Sequence, residues 1–172
     1  MKVRKTMFLC IAIVLILLLP SGCLLLRVNN SYDKARSFVI ENEDELNAVI
    51  DELRLQYNDE LYENSIFDIT SNNLKNNCPV IESFFNEHAI EGYSKISILH
   101  NQFIELRLIG ATGNAWTYVG LYYSPTGSPY SFFNGHMNEI KTGIWEETVE
   151  GSDNSSKSEF ICDGWYVYTL YF

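Results

Sequence analysis

The hydrophobic residues of this chain change their spacing once, near Ser94, and this change separates a helical part from a stranded part. Before it, five apolar residues recur at spacings of three and four, which places them on one face of a helix. These residues are Leu46, Val49, Ile50, Leu53 and Tyr57. The segment "CPVIESFFNEHA" predicts a second, shorter helix with Pro79 in its first position. After Ser94 apolar and polar residues alternate, which is the period of a strand.

Two turn signals predict how the strands are connected. "SKISILH" and "FIELRLI" flank Asn101-Gln102, and "EFIC" and "WYVYTLYF" flank Asp163-Gly164, which is typical of tight hairpins. "WTYVGLYYS" and "GIWEETV" predict further strands, residues 65–70 a short one, and "GSDNSSKSE" a turn-rich loop. Helices followed by hairpins predict an α+β domain over residues 32–172. We expect its N-terminal helices to pack on an antiparallel meander of about five or six strands.

The N-terminus is typical of an export signal. Lys2, Arg4 and Lys5 precede "MFLCIAIVLILLL", an apolar run of 13 residues, which is within the range of secretory signals. The following "PSGC" resembles the lipobox of bacterial lipoproteins, in which a small residue precedes an invariant cysteine. The resemblance implies that Cys23 is diacylated and becomes the new N-terminus.

The same segment also fits an uncleaved membrane anchor. Met7 to Leu26 is a run of 20 residues, enough to span about 30 Å of hydrocarbon. Ordinary cleavage with release is the third alternative. We expect residues 1–26 to be the signal or anchor, residues 27–31 a polar tether, and the remainder a domain on the extracytoplasmic side of the cell membrane, because the basic residues stay in the cytoplasm.

The charge of the chain disfavours nucleic acid as a partner. The formal net charge is −10, and Lys2, Arg4 and Lys5 all precede the apolar run, so the exported part is more acidic than the whole. A field of this sign repels nucleic acid and anionic lipid alike.

Two cysteines lie beyond the N-terminal segment, and they can form a disulfide in an exported domain. Cys78 is at the start of the second helix and Cys162 is on a strand near the C-terminus. The alternatives are two separate thiols or a nucleophilic Cys78, since a helix N-terminus lowers the pKa of a thiol and a histidine can serve as base.

The histidines show no metal-ligand spacing. His88, His100 and His136 are far apart in the sequence and belong to no HExxH or Cx2C pattern. The sequence therefore predicts neither a metal nor any other cofactor.

Aromatic residues are concentrated in the stranded part, and they suggest a binding face. Both sides of Trp165 to Phe172 carry aromatic rings, but helices can cover only one side. Exposed aromatic surface often marks a binding site. We expect a contiguous, partly exposed cluster formed by Tyr118, Tyr122, Tyr130, Tyr166 and Tyr168.

These features favour a membrane-tethered binding module outside the cytoplasm, with a protein or glycan ligand on the aromatic face. A small inhibitor or immunity protein belongs to this class. A small envelope hydrolase and a structural subunit of a membrane assembly are the alternatives. The hydrolase requires titratable groups that converge in a cleft, and the subunit requires a partner over the second face of the sheet.

Overall fold

A computed structural model describes residues 31–62, 66–88, 95–107 and 117–172. The signal or anchor segment with Cys23, and all of the proposed tether except Ser31, lie outside the described residues. Within these ranges the chain forms four α-helices: α1 (residues 31–41), α2 (Glu43–Gln56), α3 (Asn58–Tyr62) and α4 (Pro79–His88). None of the helices in the described part is both long and apolar enough to cross a bilayer.

Helix α2 buries the face that the spacing predicts. Its residues Leu46, Val49, Ile50 and Leu53 are buried, and so is Tyr57, which follows its last turn. Acids fill the first turn, where they complement the helix dipole. Asn42 separates α1 from α2. Its side-chain Nδ2 donates a hydrogen bond to the carbonyl oxygen of Phe38 at 2.9 Å, so it caps the C-terminal end of α1 and makes no side-chain cap for α2.

In the described part of the chain the sheet has eight strands, not the five or six expected. They are β1 (Phe67–Ile69), β2 (Lys95–Ile98), β3 (Ile104–Arg107), β4 (Thr117–Tyr123), β5 (His136–Lys141), β6 (Ile144–Thr148), β7 (Ser155–Cys162) and β8 (Trp165–Tyr171). Strand β5 was missed because it is an edge strand with little buried surface, so its sequence lacks the apolar alternation. The predicted loop "GSDNSSKSE" is partly wrong, because β7 already begins at Ser155.

All pairings are antiparallel, but the sheet is not one continuous meander. The strand order is β1-β2-β3-β4-β8-β7-β6-β5. After β4 the chain crosses to the far edge and returns strand by strand, so β8 pairs with β4 in the middle of the sheet. The predicted hairpin at Asp163-Gly164 joins β7 to β8, and both turn residues have positive φ, 39° and 85°. Hairpin turns of this kind require such backbone angles.

The helices pack on one face of the sheet, which we call the helix face. Its core combines the buried side of α2 and α4 with inward-facing residues of β2, β3, β4 and β8. The largest fully buried side chain in this core is Trp165. The indole Nε1 of Trp165 donates to Asn47 Oδ1 of α2 at 3.0 Å. At α1, the Tyr32 hydroxyl donates to Glu159 of β7 at 2.7 Å and Arg36 pairs with the same carboxylate. The opposite side of the sheet, the second face, has a separate core.

Candidate binding surface

The second face carries an aromatic cluster at the junction of β4 and β8. Alternation along the strands turns Tyr122 of β4 and Tyr166 and Tyr168 of β8 away from the helices. Tyr122 and Tyr166 face each other in the register, and their rings stack with centroids 4.9 Å apart and planes 4° from parallel. Leu99 and Phe103 complete the buried part. The sheet thus brings together Tyr122 and Tyr166, which are 44 residues apart in the sequence.

The chain itself covers this cluster with residues 124–135, which we call the cover loop. Two hydrogen bonds fix the loop to the tyrosines: the Tyr130 amide donates to the Tyr122 hydroxyl at 3.1 Å, and the Tyr166 hydroxyl donates to the Gly127 carbonyl at 2.6 Å. Phe132 stacks on the ring of Tyr168 at 4.4 Å. Burial raises the pKa of Tyr166 to about 12 and that of Tyr122 further, so both hydroxyls stay protonated at neutral pH.

Glu147 of β6 holds the end of the cover loop in place. Its buried carboxylate accepts five hydrogen bonds. The donors are Ser131 Oγ at 2.5 Å, the amides of Phe132, Phe133 and Gly135 at 2.9 Å each, and Ser156 Oγ at 2.8 Å. Burial by itself raises the pKa of Glu147, but these hydrogen bonds outweigh it and lower the pKa below the ordinary value. The carboxylate is therefore ionised and structural.

A second buried carboxylate, Glu105 of β3, lies under the same cluster. It is 2% exposed, and the Tyr168 hydroxyl donates a hydrogen bond to it. Gly120 makes room for this contact, because a Cβ at Gly120 would lie only 2.6 Å from the Tyr168 hydroxyl oxygen. Sequence reasoning missed both Glu105 and Glu147. Neither is marked by its spacing, since their donors come from distant segments.

The five tyrosines predicted as a binding face do lie together, but they differ in exposure. Tyr122, Tyr166 and Tyr168 are fully buried and cannot touch a ligand while the cover loop is in place. The partly exposed residues form an edge around them, which we call the aromatic rim. The rim consists of Tyr118, Tyr130, Phe132, Trp145 and Leu170. Ligand binding by this surface remains a prediction.

The two cysteines are free thiols and do not form the disulfide that the sequence allows. Besides burial, the Glu52 carboxylate raises the pKa of Cys78, and the Glu43 carboxylate raises that of Cys162. Each thiol therefore lies near its glutamate. These two residues of α2 are separated by about 13 Å along a helix axis, so the thiols lie near opposite ends of α2. A disulfide requires Cα atoms within about 7 Å of each other, which is shorter than this spacing along α2.

Cys78 lines a groove of about 800 Å³ between the end of α2, residues 71–77 and the start of α4. The N-terminus of α4 already has a carboxylate bound to it, because the Ile81 amide donates a hydrogen bond to Glu52 Oε2 at 2.7 Å. Burial and the Glu52 carboxylate raise the pKa of Cys78, and burial and Glu43 raise that of Cys162 to about 11. A raised pKa disfavours the thiolate that a nucleophilic cysteine needs.

The three histidines occupy unlike environments. His100 and His136 are exposed, whereas His88 is partly buried at the end of α4 and its Nε2 lies 2.9 Å from Glu45 Oε2. Glu87 brings a further carboxylate close to this pair.

Comparisons of the chain with protein-family models, with curated proteins and with solved structures found no match.

Proposed function

We propose that this chain is a membrane-tethered extracytoplasmic binding module, that its ligand is a protein, and that the ligand docks on the aromatic rim. The observation that carries the proposal is the partial exposure of Tyr118, Tyr130, Phe132, Trp145 and Leu170 around a buried aromatic core. Tyrosine and tryptophan are enriched among the residues that dominate binding energy, because they offer large contact area with a polar end.

The hydrogen bonds that fix the cover loop also favour binding by the rim. Phe132 and Tyr130 belong to the cover loop, whose backbone is fixed by Glu147 and by the hydroxyl of Tyr122. A docking surface that is already ordered loses less conformational entropy when a partner binds. The rim is therefore preorganised, unlike a free loop that happens to carry aromatic residues.

Charge supports a protein ligand with a basic surface. The net charge of −10 attracts such a partner and speeds their encounter. An inhibitor or immunity protein held outside the membrane would work in this way. A glycan would stack on the same rings but would gain nothing from the charge, so we place it second.

The tether is proposed from the sequence alone. If Cys23 carries the lipid, Cys23→Ala leaves a larger, unlipidated precursor in bacterial cells that express the chain. If residues 7–26 are instead an uncleaved anchor, the same substitution leaves gel mobility unchanged and the parent protein takes up no lipid label. In both cases protease added to intact spheroplasts digests the region from Asn30 onward, and full protection of that region would refute the proposed location.

The ligand is tested by crosslinking the full chain in its own membranes, followed by affinity capture and mass spectrometry. Trp145→Ala removes a rim side chain, whereas Tyr62→Ala removes an equally aromatic side chain from α3, where it is 68% exposed and outside the rim. We expect one protein to be captured by the parent and by Tyr62→Ala, and lost with Trp145→Ala.

Capture that is equal in both variants would refute the rim as the docking surface. Loss of binding to isolated cell-wall glycan in Trp145→Ala, with no captured protein, would keep the rim but change the ligand to a glycan. Circular dichroism of both variants checks that the fold is retained.

A further inference from the structure

Three potential metal ligands converge where the first turn of α2 meets the last turn of α4. Glu45 belongs to α2, while Glu87 and His88 end α4, and one ligand atom from each lies within 4.8 Å of the others. Among the described residues this is the one group of its kind. We propose that Glu45, Glu87 and His88 bind a divalent zinc ion that joins the two helices.

The imidazole of His88 is already oriented for this role. Its ring packs edge-on against Phe38, with centroids 5.0 Å apart, and at a tilt against Phe84, with centroids 5.1 Å apart. These walls turn Nε2 toward the Glu45 carboxylate at 2.9 Å. A ligand whose rotamer is fixed by packing loses little freedom when a metal ion binds.

The donor set suits zinc. Zn²⁺ takes imidazole nitrogen and carboxylate oxygen at about 2.0–2.2 Å, and two ligand atoms on a tetrahedral ion lie about 3.3 Å apart. The observed separations of 2.9 Å and of up to 4.8 Å need only side-chain rotation to reach that value. Glu87 is exposed and free to make this adjustment. Three protein ligands leave the fourth position to water.

The local charge also favours a cation. Four acids at the start of α2 and before it line a shallow cavity of about 320 Å³ next to the cluster: Glu41, Glu43, Asp44 and Glu45. A cation relieves the repulsion among these carboxylates. His88 is moreover the last residue of α4, where the helix dipole favours positive charge.

The alternative is an ordinary ion pair between Glu45 and His88, and Glu87 distinguishes the two. In the ion pair Glu87 has no part, and its carboxylate accepts only a weak hydrogen bond from Ser83 Oγ at 3.3 Å. In the zinc site it is a ligand. The effect of Glu87→Gln on zinc binding therefore separates the proposal from the ion pair without disturbing the buried side of α4.

The test is calorimetric titration of ZnCl2 into the full chain, purified in detergent and freed of metal with a chelator. We expect one zinc per chain, with affinity reduced at least about tenfold in Glu87→Gln and in His88→Ala, since even the loss of a residue that only hydrogen-bonds to a metal ligand costs about 10–100-fold. Ser83→Ala removes the contact of Glu87 within the helix, and His136→Ala removes an unrelated exposed histidine; both should bind zinc as the parent does.

Visible absorption of bound Co²⁺ provides a second measurement, which reports the geometry of the metal site directly. Co²⁺ in the parent should give the visible absorption of a tetrahedral site with nitrogen and oxygen ligands, and Glu87→Gln should weaken that absorption. Absence of zinc binding in the parent, or binding that Glu87→Gln leaves unchanged, would overturn the proposal.

Discussion

Replacing Glu147 by glutamine should destabilise the protein, because its buried carboxylate accepts five hydrogen bonds. Glutamine has nearly the same shape but carries no charge and presents an NH2 group in place of one oxygen. If the remaining oxygen keeps the three donors of Oε1, the NH2 group faces the Phe132 amide, which also donates. One buried amide then lacks a partner, and the retained hydrogen bonds lose their charge.

The magnitude follows from these two losses. An unsatisfied buried donor costs about 1–3 kcal/mol, and hydrogen bonds to a charged group are worth about 1.5–3 kcal/mol against about 1 kcal/mol for neutral ones. Water that enters beneath the cover loop offsets part of the sum. We expect a loss of about 3 kcal/mol in the free energy of unfolding, which lowers the Tm by roughly 10 °C for a domain of this size.

The matched control is Glu146, which directly precedes Glu147 on the same strand. Glu146→Gln makes the same chemical change on β6, but Glu146 is exposed and points to the opposite side of the sheet. It should change the free energy of unfolding by less than about 0.5 kcal/mol. Thermal unfolding followed by tryptophan fluorescence compares the two variants with the parent. Equal Tm values for Glu147→Gln and Glu146→Gln would show that the carboxylate does not hold the cover loop.

The pH dependence gives an independent check of the same reasoning. The folded-state pKa of Glu147 is below its ordinary value of 4.5. Its contribution to stability is therefore fully present above the ordinary pKa and is lost as the pH falls through the lowered one. The Tm difference between Glu147→Gln and the parent should be constant near neutral pH and should shrink below about pH 4. A difference that grows on acidification would contradict an ionised, hydrogen-bonded Glu147.

Two further outcomes are expected. Gly120→Ala should cost about 3 kcal/mol in thermal unfolding, because its Cβ displaces the Tyr168 ring from a buried hydrogen bond. Its control, Gly127→Ala, has nothing within 4 Å of the added Cβ and should cost only the backbone penalty of about 1 kcal/mol. Equal costs for the two variants would mean that Tyr168 can move freely. Maleimide labelling of the unreduced, denatured chain should modify both Cys78 and Cys162, and an intact mass that increases by two hydrogens on reduction would reveal a disulfide that this structure does not contain.

The sequence alone was sufficient for the local elements with strong patterns. The apolar face of α2, the start of α4 at Pro79 and the turn at Asp163-Gly164 were each predicted and are confirmed. Helical spacing and the backbone angles of a turn are properties of neighbouring residues, so they can be read without the fold. Strand β5 shows the limit of this reading, because an exposed edge strand has no buried side to produce alternation.

The tertiary structure decided what covers each surface. Aromatic rings on both sides of β8 predicted an open face, but the fold brings β8 beside β4 and lays the cover loop over Tyr122, Tyr166 and Tyr168. The loop closes there because Glu147 finds its donors at residues 131–135, in a segment that no periodicity connects to β6.

The same holds for the proposed zinc site. Glu45 and His88 are 43 residues apart, and only the antiparallel packing of α2 on α4 brings them within 2.9 Å. A sequence shows which residues prefer burial or charge. Which of them meet depends on the pairing of distant elements, and spacing along the chain does not encode that pairing.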